Sequence, residues 1–149
     1  MDIVEIIPNH LYAGRKLNEN GWKFIEQKVH AILNLREEQD KPPFDFTNRL
    51  LIWTPISAKE PPQLHWVIAA TGMMNAVLDT GYVLYVHDTD GINRLGFILT
   101  AFYMQRFGLS RHEALQTVRQ RKHDLNPNER YMVLLSQFEA YLKSISIRG

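Results

Sequence analysis

Apolar residues in the first third of the chain form short runs separated by turn residues. The runs at residues 3–7 and 11–14 flank the turn at residues 8–10, which predicts two short strands joined as an edge hairpin. A third run, at residues 30–35, has the length of a strand and few polar positions, as is typical of a central strand of a sheet. The N-terminal region therefore predicts three strands.

Apolar residues at helical spacing predict helices between the strands. Asn18 or Asn20 can cap a helix before the third strand, since a side-chain amide oxygen can accept a free N–H group of the first turn. A second helix is expected to open at Pro61-Pro62 and to stop at Gly81. A loop with six charges and two prolines is expected at residues 36–46, and further strands at residues 50–56 and 82–87.

Three helices are predicted in the C-terminal half. The first begins near Arg94, is too apolar to be exposed, and ends at Gly108. Ser110 and Glu113 form a capping box at the start of the next helix, and residues 126–128 cap the last one. Strands that alternate with helices predict an α/β fold, with a mostly parallel sheet of about four to five strands flanked by about five to six helices.

Composition narrows the class of protein. A chain of 149 residues is ordinary for one domain, so we expect a single domain over residues 1–149. The net charge of +1 gives no basic surplus, and we expect no nucleic-acid partner. No apolar run approaches the ~18 to 20 residues that span a bilayer, so we expect a cytoplasmic protein with no membrane contact. We also expect a monomer. The absence of cysteine excludes disulfides and thiolate chemistry.

The stretch after the strand at residues 82–87 carries the candidate chemistry. An apolar run passes there through a polar turn with Gly91 into an apolar helix, which is where α/β sheets bind ligands. The free N–H groups at the helix N-terminus and the planar guanidinium of Arg94 favour an anion. The sequence therefore predicts an anion-binding loop at this position.

These residues resemble a known family. His87, a five-residue loop and Arg94 resemble the His-Cys-x5-Arg phosphate loop of the cysteine-dependent protein phosphatases, in the small dual-specificity branch. Residues 7–14 and the C-terminal half resemble the same family, so the likeness covers nearly the whole chain. It implies the family's fold, no cofactor, a phosphorylated protein or a small phosphate ester as partner, His87 as loop support, and a phosphate-binding loop made of Asp88, Thr89, Asp90, Gly91, Ile92, Asn93 and Arg94.

Three positions depart from the family pattern. Asp88 occupies the position of the nucleophilic cysteine, Ala58 that of the usual acidic residue, and Leu95 that of a hydroxyl residue after the arginine. Asp88 and Arg94, with Glu60 as a displaced acid, are the catalytic candidates. We expect the Asp88 carboxylate to accept the N–H groups of its own loop and to pair with Arg94, so that the loop is closed by its own side chain.

Three functions stay open on this reading. The first is a catalytically inactive phosphatase that acts by binding. The second is an active phosphatase, either in a form with cysteine at position 88 or with Asp88 as an aspartyl nucleophile, because Asp88, Asp90 and Gly91 also resemble the Asp-x-Asp-Gly motif of the haloacid dehalogenase-like phosphatases. The third is a structural interaction module, for example through the basic cluster at residues 119–123. No metal site is expected.

Overall fold

The computed structural model describes residues 2–148, and residues 1 and 149 of the expected single domain lie outside this range. Strands and helices alternate along the chain as the sequence predicted. In order they are β1 (Ile3–Ile7), β2 (Leu11–Gly14), α1 (Glu19–Lys28), β3 (Ala31–Asn34), β4 (Leu50–Trp53), α2 (Leu64–Asp79), β5 (Leu84–His87), α3 (Asn93–Phe107), α4 (Arg111–Arg121) and α5 (Glu129–Arg148).

The five strands form one sheet in the order β1-β2-β5-β3-β4. β1 is antiparallel to β2, while the other three neighbouring pairs are parallel. The mostly parallel α/β fold is thereby confirmed. The N-terminal hairpin is also present, but only β1 lies at the edge, because β2 pairs with β5 on its other side.

Helices cover both faces of the sheet. α2, α3, α4 and α5 pack on one face around fully buried residues such as Phe97 and Phe138. α1 covers the other face, where Ile25 and Tyr85 belong to a smaller apolar cluster. α3 is buried along most of its length, as its apolar sequence predicted. Within residues 2–148, no helix has both the length and the apolar character that a membrane crossing requires.

The predicted helix ends are largely those observed. Asn18, rather than Asn20, caps α1 by accepting the Gly21 N–H group at 2.8 Å. Ser110 and Glu113 form the capping box of α4. Gly108 follows α3 with a φ of 67°, a left-handed conformation that glycine adopts without a steric penalty.

Three predicted boundaries were wrong. α2 begins at Leu64 rather than at Pro61-Pro62, since Pro62 drives the residue before it out of helical geometry and the N-cap, Gln63, is still extended with a ψ of 162°. β4 ends at Trp53 rather than at residue 56, just before Pro55. β5 begins at Leu84 rather than at residue 82, and the Val83 N–H group donates to the His30 side chain instead of a strand.

Candidate functional site

The site lies at the carboxyl end of β5, the central strand of the sheet. His87 ends this strand and is level with Gly14 of β2 and Asn34 of β3. Residues 88–92, which we call the β5–α3 loop, then lead directly into α3. Gly91 in this loop has a φ of 74°, and a Cβ atom there would lie 3.1 Å from the Gly14 carbonyl carbon. A close turn against β2 therefore requires glycine at this position.

Asp88 is the first residue of the β5–α3 loop, and its side chain turns inward. It is only 2% exposed. One carboxylate oxygen accepts the Gly91 N–H group, and the other accepts the Leu95 N–H group at 2.8 Å. Ile92, the N-cap residue of α3, provides no side-chain cap, so Asp88 satisfies a first-turn N–H group that would otherwise lack an acceptor. Its negative charge is also favourable at the positive end of the helix dipole.

Arg94, in the first turn of α3, is buried and binds oxygen atoms of its own chain. Nη1 donates to the Ile56 carbonyl oxygen at 3.0 Å, and Nη2 donates to the Thr89 hydroxyl at 3.2 Å. The expected ion pair with Asp88 was wrong: none of the ion pairs within residues 2–148 joins these two side chains. The Asp88 carboxylate faces backbone N–H groups instead, which leaves Arg94 to connect the loop with the segment after β4.

His87 lies beneath the loop and is fully buried. Its Nε2 atom is 2.7 Å from an oxygen of the Asp40 carboxylate, and its Nδ1 atom is 3.2 Å from the Asp88 carbonyl oxygen. Asp40 also pairs with Arg36 at 3.3 Å. A buried chain of polar groups therefore runs from Arg36 through Asp40 and His87 to the backbone of Asp88.

Asp40 is a residue of this site that the sequence did not reveal. It lies 47 positions before His87, within residues 36–46, which the sequence marked only as a charged surface loop. Asn34 shapes that loop: its side chain accepts the Arg36 N–H group and donates to the Glu38 carbonyl oxygen. The resulting turn brings the Asp40 carboxylate to His87 at the end of β5, and no local sequence signal indicates this contact.

The segment after β4, residues 56–60, is held against the start of α3. Three consecutive carbonyl oxygens accept hydrogen bonds from side chains at the N-termini of α3 and α5: Ile56 from Arg94, Ser57 from Tyr131, and Ala58 from both Asn93 at 2.8 Å and Asn128 at 3.1 Å. Burial raises the pKa of the Tyr131 phenol above its ordinary value, so that it stays protonated and can donate to Ser57. The backbone of this segment is therefore fixed.

Glu60, the candidate displaced acid, makes no ion pair with the β5–α3 loop within the described residues. Its side chain is 80% exposed and pairs with Arg130 at 3.9 Å. It borders an open cleft of about 650 Å³ that is lined by residues 57–60 and 128–130, and by none of residues 88–94. Asp88, Arg94 and His87 are thus brought together, whereas Glu60 is not. Its role as an acid stays a prediction.

A second cleft, of about 400 Å³, borders the loop at Asp90. Part of the basic cluster at residues 119–123 lines it. Lys122 donates to the Gly91 carbonyl oxygen and pairs with Asp124, so its charge is used to hold the loop. Arg119 donates to the Leu125 carbonyl oxygen. Two of the predicted basic residues therefore support backbone rather than face solvent.

Comparison with known proteins identifies the family of this fold and site. The family model described as dual specificity phosphatase, catalytic domain, matches residues 11–141. The chain belongs to this family. The family match covers every element of the site, from β2 through the β5–α3 loop to α5.

Individual relatives are distant. The chain is 27% identical over 86 residues to serine/threonine/tyrosine-interacting protein B of Xenopus laevis, a match that covers 57% of this chain and 39% of that protein. The chain thus spans well under half of the length of this relative. Among solved structures, human DUSP28 superposes with a TM-score of 0.82 at 21% identity, covering 96% of both chains.

A second solved structure is similar to the same extent. It is the human tyrosine phosphatase-like serine/threonine/tyrosine-interacting protein, with a TM-score of 0.80 at 22% identity, covering 94% of this chain and 97% of that one. At these identities the superpositions establish the shared fold.

Proposed function

We propose that this protein is a catalytically inactive dual specificity phosphatase that acts by binding a phosphorylated protein without hydrolysing it. One observation carries the proposal: the Asp88 carboxylate occupies the floor of the loop and accepts the N–H groups of Gly91 and Leu95. In the family, that position holds the cysteine that attacks phosphorus. A carboxylate that is already bound by the loop is poorly placed to serve as a substitute nucleophile.

Electrostatics support the loss of turnover. A phosphate group bound in the loop would lie close to the buried Asp88 carboxylate. Two like charges about 4 Å apart repel by roughly 4 kcal/mol at an effective dielectric constant near 20. Arg94, the residue that would offset this repulsion, donates both of its observed hydrogen bonds to Ile56 and Thr89. We therefore infer that a phosphate group binds weakly at the loop floor and that most contacts with a partner lie around it.

The groups that would assist a reaction are also missing from their family positions. Ala58 contributes only its carbonyl oxygen, as an acceptor for Asn93 and Asn128. Leu95 is buried and contributes its backbone N–H group to Asp88. The serine/threonine/tyrosine-interacting proteins, relatives whose names describe interaction rather than hydrolysis, support the same proposal.

Hydrolysis of an aryl phosphate tests the proposal. The purified protein is expected to release no product above buffer, with or without magnesium. Release that requires magnesium and stops with a chelator would contradict the proposal and would favour Asp88 as an aspartyl nucleophile.

Thermal unfolding tests the closed loop separately. Asp88→Ala removes the carboxylate and frees the N–H groups of Gly91 and Leu95. Sulfate should then raise the melting temperature of the variant more than that of the parent, because an anion that binds only the folded state stabilises it. Equal shifts in both proteins would show that Asp88 does not close the loop to anions.

A further inference from the structure

β4 is a free edge of the sheet. Its Leu50 N–H group donates to His30 of the β3 side at 2.9 Å, and Thr54 donates to Asn34 at 3.1 Å. In a parallel ladder, alternate residues bond to the same neighbour, so the backbone groups of Leu51 and Trp53 point away from β3. No other strand within residues 2–148 lies on that side. Leu51 and Trp53 therefore present two N–H and two C=O groups that a strand of another chain can pair with.

The two edges of the sheet are protected to very different degrees. β1, at the opposite edge, carries Glu5 and has an irregular register between Glu5 and Ile7 that interrupts its pairing. Charged residues and bulges are the usual devices that prevent an edge from pairing with another chain. β4 has neither, and its Leu50, Leu51 and Trp53 are each 42% exposed. The β4 edge is thus apolar as well as unpaired.

A small pocket beside β4 could hold one side chain of an added strand. It has a volume of about 190 Å³ and is lined by Asn34, Gln39, Asp40, Leu51, Ile52 and Trp53. The Trp53 indole N–H group donates to the Arg36 carbonyl oxygen at 2.8 Å, which fixes the ring that forms one wall. Recognition by strand addition combines backbone hydrogen bonds with pockets of this kind for alternate side chains.

The charges near this edge select the kind of partner. Glu37 and Glu38 are exposed where the chain passes Trp53, and Asp45 and the basic Lys41 are exposed before the start of β4. Arg49, directly before β4, donates to the carbonyl oxygens of α1 and its C-cap. Of these carboxylates, only Glu38 has an ion-pair partner within the described residues, Arg36 at 3.1 Å. A segment with a lysine or arginine beside its apolar residues would complement them.

A second copy of the chain fits this edge less well than a peptide. Pairing of two β4 strands would align only four residues, a length of about 13 Å at ~3.3 Å per residue. A stable interface between folded proteins needs ~800 Å² on each partner. An extended peptide does not have to bring a second folded surface against the edge.

We propose that the β4 edge binds an extended segment of a partner protein, which adds to the sheet as a sixth strand. The segment has apolar residues at alternate positions, one of which enters the pocket beside Trp53, and a basic residue that faces Glu37 and Glu38. Asp40 lines the pocket and also contacts His87, but the backbone groups of β4 belong to neither the β5–α3 loop nor the residues that bind it, so the inference stands whether or not the loop binds phosphate.

A synthetic peptide tests the proposal directly. The probe is a fluorescein-labelled Lys-Val-Thr-Val-Thr-Val-Lys peptide, with a Glu-Val-Thr-Val-Thr-Val-Glu peptide as the charge control. Fluorescence polarisation should show saturable binding of the first peptide and at least tenfold weaker binding of the second. Failure of the basic peptide to bind at millimolar protein concentration, or equal binding of the two, would overturn the proposal.

Two variants at one position separate backbone pairing from side-chain contact. Leu51→Pro removes an N–H group that points off the sheet, which an edge strand tolerates, while Leu51→Ala retains it. Leu51→Pro should weaken peptide binding at least tenfold more than Leu51→Ala does. Equal affinities of the two variants would contradict strand addition.

Hydrogen exchange of the parent protein gives a readout that does not depend on the folding of a variant. The basic peptide should slow exchange at the Leu51 and Trp53 amides and leave the amides of β1 unchanged. Unchanged exchange at β4 would overturn the proposal. Sedimentation of the free protein supplies the last test: a concentration-dependent dimer that Leu51→Pro abolishes would assign the edge to a second copy instead.

Discussion

The β5–α3 loop and the segment after β4 differ in which of their atoms the fold holds in place. In the loop, a side chain is held: the Asp88 carboxylate is buried and bound to two N–H groups. In the segment, the backbone is held by side chains from α3 and α5, while the Glu60 side chain extends into solvent. Hydrogen bonds thus hold both regions in place, and Asp88 in the loop and Ala58 in the segment are positions that depart from the family pattern.

The largest effect is expected when cysteine, the residue that the family has at this position, replaces Asp88. In Asp88→Cys, the N–H groups of Gly91 and Leu95 and the α3 N-terminus would favour a thiolate, with a pKa below the ~8.5 of free cysteine. The variant should hydrolyse nitrophenyl phosphate, for which the leaving group needs no proton. Phosphoserine peptides should be slower by a further ~10²- to 10⁴-fold, the usual contribution of a general acid. Initial rates on the two substrates measure this difference.

Two outcomes would change the comparison of loop and segment. Similar rates on both substrates would mean that the segment does supply an acid, and Glu60→Gln should then lower only the phosphoserine rate. A folded Asp88→Cys variant that hydrolyses neither substrate would show that the loop does not have phosphatase geometry.

The next largest effect is expected on the free energy of unfolding, from a change at Asp40 beneath the β5–α3 loop. Asp40→Ala leaves Arg36 and the buried His87 without their shared carboxylate. Arg36 keeps Glu38 as a partner at 3.1 Å, but the fully buried Nε2 atom of His87 loses its hydrogen-bond partner. Leaving a buried polar group unsatisfied costs ~1 to 3 kcal/mol of unfolding free energy. Urea denaturation at neutral pH measures the loss.

The matched control for Asp40→Ala lies in the segment after β4. Glu60→Ala also removes a carboxylate, but an exposed one, and should change the unfolding free energy by no more than ~0.5 kcal/mol. Asp40→Asn keeps one oxygen acceptor and should fall between the two. A loss below ~1 kcal/mol for Asp40→Ala would mean that the buried chain from Arg36 to His87 does not stabilise the fold.

The smallest effect is expected where the segment is anchored. Tyr131→Phe removes the hydrogen bond to Ser57, which costs ~0.5 to 1.5 kcal/mol at neutral pH. The pKa of Tyr131 is raised in the folded state, chiefly by burial. Its contribution is therefore fully present below the ordinary tyrosine pKa of 10.0 and is lost as the pH rises above it.

Unfolding curves between pH 8 and pH 11 check the pH dependence of this anchor. The parent should lose stability faster than Tyr131→Phe above about pH 10. Burial also raises the pKa of Tyr85, whose hydroxyl donates to the Arg15 carbonyl oxygen. Tyr85→Phe is therefore the control for a buried phenol that does not hold the segment. Identical slopes for the parent and Tyr131→Phe would contradict a role for the phenol in holding the segment.

The sequence by itself determined the elements, their order along the chain, and the position of the β5–α3 loop between a strand and a helix. Apolar spacing and capping residues such as Ser110 are local signals, because they depend on neighbours within one turn or strand. The family resemblance at His87 and Arg94 placed the candidate site, and Asp88 stood out as its departure. The element boundaries near Pro61-Pro62 and Pro55 were less exact, because steric effects of proline act on the preceding residue.

Tertiary structure decided which groups meet. Asp40 reaches His87 across 47 positions, and Tyr131 reaches Ser57 across 74. Arg94 does not pair with Asp88 because another acceptor is available to it: the carbonyl oxygen of Ile56, 38 residues earlier, accepts from Arg94. Such contacts leave no periodic pattern in the sequence, because they join elements that only the folded sheet brings together.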